Sequence, residues 1–91
     1  MSAVHGSLQP TALTVYGVDW CEDTTRARKH LYTAGTRYHY VRLDDDDAAK
    51  VELHHAGHRA TPVVVTPAGR LYVEPTDEQL QEIVIQVGPG S

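Results

Sequence analysis

Leu13-Thr14-Val15-Tyr16-Gly17-Val18-Asp19-Trp20-Cys21-Glu22-Asp23-Thr24 is the stretch from which the fold can be read. A short run rich in β-formers ends in Gly17, a Trp-Cys pair follows, and from Glu22 the spacing becomes helical. Cys21 is the single cysteine of the chain. A cysteine where a strand hands over to a helix sits at the helix's positive end, where unpaired N–H groups and the dipole favour a thiolate. The thiolate is the nucleophile of disulfide exchange, so this residue directs the functional reading. The competing reading is a buried cysteine acting as a small hydrophobe. Helix N-termini lower a thiol pKa whereas apolar cores raise it, and the position favours the reactive reading.

Outward from this junction the chain alternates strands and helices. Ala12 to Tyr16 reads as a strand buried on both faces. Ala27, Leu31 and Ala34 recur at helical spacing, with Arg26, Arg28, Lys29 and His30 on the wet side and Gly35 as the C-terminal stop. Tyr38 to Leu43 forms the second strand, and Asp44 to Asp47 start a second helix that runs to about Ala56 before Gly57. Val63-Val64-Val65 is a central strand. Thr66-Pro67-Ala68-Gly69 has type I turn chemistry, and Arg70 to Val73 returns as its hairpin partner. Pro75-Thr76 opens a last helix with a Thr76/Gln79 capping box and an apolar face of Leu80, Ile83, Val84 and Val87. The order is β-α-β-α-β-β-α, an α/β domain with a four-stranded mixed sheet flanked by three helices. Residues 12–87 make this one domain, 1–11 a flexible arm and 88–91 a flexible tail. The first βαβ unit is expected to be parallel.

Composition narrows the partners. With 91 residues and a net charge of −4, there is room for one small core and no basic run for nucleic acid. No stretch approaches the ~20 apolar residues of a membrane span, and Met1 to Gln9 lacks a signal-peptide pattern. One cysteine makes no internal disulfide. The cytoplasm is the expected compartment.

Two further features accompany Cys21. Thr61-Pro62 precedes the valine strand; a cis bond there would leave the Thr61 backbone open to an incoming extended peptide, while a trans bond would be a plain loop breaker. Thr76-Asp77 begins the third helix, whose N–H groups suit a carboxylate, beside the simpler role of capping.

Taken together, Trp20-Cys21-x-x-Thr24, Ala60-Thr61-Pro62-Val63, Pro67-x-Gly69 and Glu74-Pro75-Thr76-Asp77 resemble the glutaredoxin family of the thioredoxin fold, over roughly Ala12 to Val87. The subgroup that looks most similar is the mycoredoxin-like short glutaredoxins of actinobacteria. The resemblance implies that Cys21 is the nucleophile and that Thr24 stands where the resolving cysteine would be. It implies that Thr61 and Pro62 pair with the small thiol, and that Thr76 and Asp77 lie near the anchor for its charged end. Trp20 would shape a wall of the groove, with His58 or Arg59 meeting a ligand carboxylate. Without a second cysteine, the cycle implied is monothiol, acting on protein mixed disulfides with glutathione or mycothiol as co-substrate and no bound cofactor.

The chain departs from the family at Glu22-Asp23, which replace the usual Pro or Gly. Carboxylates beside a thiolate oppose the dipole, and the sequence leaves the net sign open. The Thr24 hydroxyl either donates to sulfur or caps the helix. Family members that carry an iron–sulfur cluster have Cys-Gly-Phe-Ser; Cys-Glu-Asp-Thr would crowd and repel a cluster. A thioredoxin-fold binding module without turnover is the remaining alternative. His54, His55 and His58 have spacing a metal could use, yet read better as a solvated helix end. Asp44 to Asp47 lack the alternation and glycine of a calcium loop.

Overall fold

β1 (Thr14–Gly17) is buried along its whole length because it lies inside the sheet, paired on both sides. The computed structural model describes residues 12–88; the expected arm, 1–11, and the tail residues 89–91 lie outside them. The strand order is β2-β1-β3-β4, with β2 at His39–Arg42, β3 at Val63–Val65 and β4 at Leu71–Val73. β1 runs parallel to β2 and antiparallel to β3, and β3 pairs antiparallel with β4. The sheet is therefore mixed, and with its three helices it has the thioredoxin-like architecture.

Alternation along the central strands sorts the core into two layers. Val15 and Val64 face α1 (Glu22–Thr33) and α3 (Asp77–Val87), packing with Ala27, Leu31, Leu80 and Ile83. Tyr16, Val63 and Val65 face the other side, where α2 (Asp47–His55) contributes Ala49 and Leu53. Val63, Val64 and Val65 are all fully buried, and each contributes roughly 1.5–3 kcal/mol by leaving water. This explains why the run lacks polar alternation.

Both β-linked helices end as their glycines require. Gly35 at φ +75° donates to the Tyr32 carbonyl, and Thr36 N–H reaches back to Leu31. Gly57 at φ +89° and His58 repeat that pattern on His54 and Leu53. These are Schellman caps, in which a residue free of Cβ satisfies the last carbonyls.

Several boundaries differ from the sequence expectation: the first strand is Thr14–Gly17 and not Ala12 to Tyr16, and the hairpin partner starts at Leu71 and not Arg70. The second helix starts at Asp47, not Asp44; Asp44 and Asp45 lie in a turn. The reason is capping: Asp46 accepts a bond from the Ala49 N–H at 3.0 Å, so it sits outside the helix. The second strand is His39–Arg42, shorter than Tyr38 to Leu43. Gly88, expected in the tail, instead closes α3 by donating to Val84 and accepts from the Thr36 hydroxyl at 3.3 Å. The Thr76/Gln79 capping box is formed in both directions. No helix among the described residues is long and apolar enough to cross a membrane.

Candidate active site

Gly17 ends β1, and the chain turns through Val18, Asp19 and Trp20 to place Cys21 as the N-cap of α1. The turn is closed by Cys21 N–H donating to Val18 at 3.2 Å, and the Cys21 carbonyl accepts the first helical bond from Thr25 at 3.1 Å. No side chain caps this helix, so the first-turn N–H groups face the sulfur. Cys21 is partly exposed, and its buried side packs against the core layer of Tyr16, Val63 and Val65.

The thiol pKa lies below the ordinary value. Its largest cause is the Thr61 side chain, whose hydroxyl favours the thiolate; burial opposes it, and Thr24 and the Asp23 N–H add to the lowering. In the neutral state Sγ donates instead to the Thr61 carbonyl, at 3.8 Å. Glu22 and Asp23 carboxylates are not among the causes, so the sign left open by the sequence falls on the thiolate side. Asp23 is turned toward Arg26, 3.6 Å away.

Thr24 is fully buried, and its Oγ1 has no hydrogen-bond partner. It neither caps the helix nor makes a formed bond to sulfur at rest. Its proton is therefore free to turn toward Sγ when the thiol ionises, which agrees in direction with its effect on the pKa.

Thr61-Pro62 is a cis peptide. Pro62 is buried, and its carbonyl accepts from Glu74 N–H at 2.8 Å. Thr61 is left at the edge of a groove of about 190 Å³. That groove is lined by apolar Val18, Leu43 and Leu53, by the cations Lys50 and Arg59, and by His54 and His58. Trp20 and Asp44 form its near side, joined by a bond from the indole Nε1–H to Asp44 Oδ2 at 3.0 Å.

The structure thus brings Trp20, Arg59 and Thr61 around one groove, with Cys21 beside it through its bond to the Thr61 carbonyl and Thr24 buried in the same first turn of α1. Thr76 and Asp77 do not line it. The Thr76 hydroxyl is engaged with Gln79 N–H, and Asp77 is paired with Arg26 at 2.6 Å. Among the described residues no three His, Cys, Asp or Glu side chains converge as a metal site.

Sequence reading passed over the support of the Cys21 turn. Asp19 accepts from the Tyr40 hydroxyl at 2.7 Å and pairs with Arg42 at 3.0 Å. Arg28 lies over the Tyr40 ring, 3.8 Å from its centroid. No local spacing links Asp19 to a strand some twenty residues on; only the parallel pairing of β1 and β2 brings them together.

Solved structures similar to this one include glutaredoxins and glutaredoxin-like proteins. The glutaredoxin-like NrdH-redoxin of Escherichia coli superposes with a TM-score of 0.74 at 16% identity, covering 88% of this chain and 99% of that one. A glutaredoxin of Archaeoglobus fulgidus gives 0.71 at 21%, covering 85% and 90%. Buckwheat glutaredoxin, solved as a complex with glutathione, gives 0.70 at 22%, covering 98% and 89%. At these identities the likeness speaks for the fold. No curated protein matches the sequence. The glutaredoxin family model matches residues 13–70, more than half of the chain and all of the segment that carries Cys21, Thr24, Thr61 and Pro62. The family match and the shared fold support a thiol–disulfide oxidoreductase-like role, and the chain belongs to the glutaredoxin family.

Proposed function

We propose that the protein is a monothiol oxidoreductase of glutaredoxin or mycoredoxin type, reducing protein mixed disulfides with a low-molecular-weight thiol. The observation that carries this reading is the placement of the Cys21 sulfur at the start of α1 beside Thr61, where hydroxyl and N–H donors favour its ionised form.

In the cycle, the Cys21 thiolate attacks the small-thiol sulfur of a protein mixed disulfide. The S–S bond breaks, and the protein sulfur leaves as a thiolate that takes a proton from solvent. Cys21 is now joined to the small thiol. A second small thiol, as its thiolate, attacks the small-thiol sulfur of that disulfide. This releases the symmetrical small-molecule disulfide and restores the Cys21 thiolate. Per turnover one free small thiol is consumed: its sulfur is oxidised to the disulfide level as the protein sulfur is reduced to a thiol, and no second cysteine is needed.

Thr61 N–H has no partner among the described residues and is available to an extended ligand in the groove. Trp20 walls that groove, and Arg59 in its lining suits an anionic end of the thiol. Glutathione or mycothiol serves as co-substrate, with no resident cofactor. The Thr76-Asp77 helix start offers N–H groups for a second charged end, although both side chains already have partners.

The test is turnover of a protein mixed disulfide by wild type and Cys21→Ser, with glutathione and mycothiol supplied separately. Wild-type turnover lost in the variant supports the cycle, and the better thiol identifies the co-substrate. Turnover retained in Cys21→Ser, or absent from wild type with both thiols, overturns it.

A further inference from the structure

We propose that Asp44 is a positioning residue: it latches the Trp20 indole as a wall of the groove beside Cys21 and so sets how firmly that groove grips a mixed disulfide. The inference rests on Cys21 being the exchange nucleophile. Trp20 is 76% exposed, so core packing does not hold its ring. An exposed, rotatable side chain is ordered only where a specific bond offsets the lost freedom. The bond here runs from the indole Nε1–H to Asp44 Oδ2, and both residues line the same groove as Thr61.

The two backbones that carry this bond are held independently of it. Asp19, next to Trp20, is bound by Tyr40 and Arg42 of β2. Arg42 also pairs with Asp45, next to Asp44, at 3.1 Å. Leu43 N–H donates to the Gly17 carbonyl at 2.9 Å, joining the two turns at their base. One arginine thus bridges the residues flanking the latch, and the indole and carboxylate face each other across a braced gap. Breaking the latch frees the ring while leaving Cys21, Thr24 and Thr61 in place. The loss falls on substrate binding, not on the chemical step.

Trp20 is the only tryptophan, so its fluorescence reports the latch directly. In Asp44→Ala the indole anisotropy should fall and acrylamide quenching rise. KM for a peptide bearing a small-thiol mixed disulfide should rise about fivefold with kcat within about twofold, the scale of one hydrogen bond. Asp44→Asn keeps an oxygen acceptor for the indole while removing the charge, and should match wild type in both readouts. Adding Asp44→Ala to Trp20→Ala should cost nothing further. The proposal is overturned if Asp44→Ala leaves anisotropy and KM unchanged, if Asp44→Asn behaves like Asp44→Ala, or if the double substitution is additive. Should wild type show no turnover, the catalytic reading of Cys21 fails by itself. The latch is then decided by the anisotropy, which must still fall in Asp44→Ala and hold in Asp44→Asn.

Discussion

The side chain of Thr24 fills the space that a side chain on Gly17 would need: an ideal Cβ at Gly17 falls 2.6 Å from both Oγ1 and Cγ2 of Thr24. The end of β1 and the first turn of α1 are thereby pressed together directly beneath Cys21. Gly17→Ala should push Thr24 out of its slot, costing about 1–3 kcal/mol as overpacking does. Denaturant unfolding checks the cost, and Gly17→Ala combined with Thr24→Ala should recover part of it. A single substitution of wild-type stability would show that the slot can expand.

Thr24 itself separates stability from reactivity. Its buried hydroxyl has no partner, and such a group costs roughly 1–3 kcal/mol relative to an apolar isostere. Thr24→Val should therefore leave stability unchanged or raise it, while Cys21 becomes harder to ionise. Thermal unfolding and the pH dependence of alkylation measure the two effects. Loss of stability would mean that the hydroxyl does find a partner.

The pH dependence of Cys21 has a definite sign. Its folded pKa is lowered, first by Thr61 and against the opposing effect of burial. A depressed acid contributes stability that is present above its unfolded value and is lost as pH falls through the folded one. Alkylation by iodoacetamide should show a midpoint below the ordinary thiol range, and Thr61→Val should move it upward. A midpoint at or above that of an unfolded peptide would contradict the geometry.

Tyr40 should titrate late. Burial first, then its bond to Asp19, push its phenol up to about 12. Because the folded value exceeds the unfolded one, the stabilisation is complete below the unfolded pKa and is lost as pH rises through the folded value. Ultraviolet titration of wild type against Tyr40→Phe isolates this phenol. A difference spectrum with its midpoint near that of free tyrosine would remove the Asp19 bond from the account.

The α1–α3 layer carries much of the core. Leu80 is fully buried among Leu13, Val15, Leu31 and Ile83. Leu80→Ala should cost about 2–5 kcal/mol, measured by urea unfolding. Arg26→Ala, which breaks the exposed pair with Asp77, should cost no more than about 1 kcal/mol.

What the chain states locally, it states well. The apolar run ending in Gly17, the valine strand, the Thr76/Gln79 box and the glycines at 35 and 57 define strands and helices through short-range chemistry. That chemistry is complete within a few residues of each position. The places of Cys21, Thr61 and Pro62 were legible for the same reason, since Cys21 precedes a helix start and Thr61-Pro62 a strand start. The resemblance assigned them roles.

Other properties needed partners distant in sequence. The sign of the Cys21 shift depends on Thr61, forty residues on, and no property of Glu22-Asp23 could supply it. Asp44 read as the start of a helix because acidic residues favour helix N-termini; Asp46 took the cap, and the turn left Asp44 facing Trp20. Thr76 and Asp77 were readable as a helix start, and the packing of α1 on α3 set the Asp77 side chain against Arg26. Local sequence determined the elements and the place of Cys21 at a strand-to-helix junction. Tertiary packing decided its ionisation, its groove and which neighbours were left free, because those depend on which side chains the sheet brings within a few ångströms.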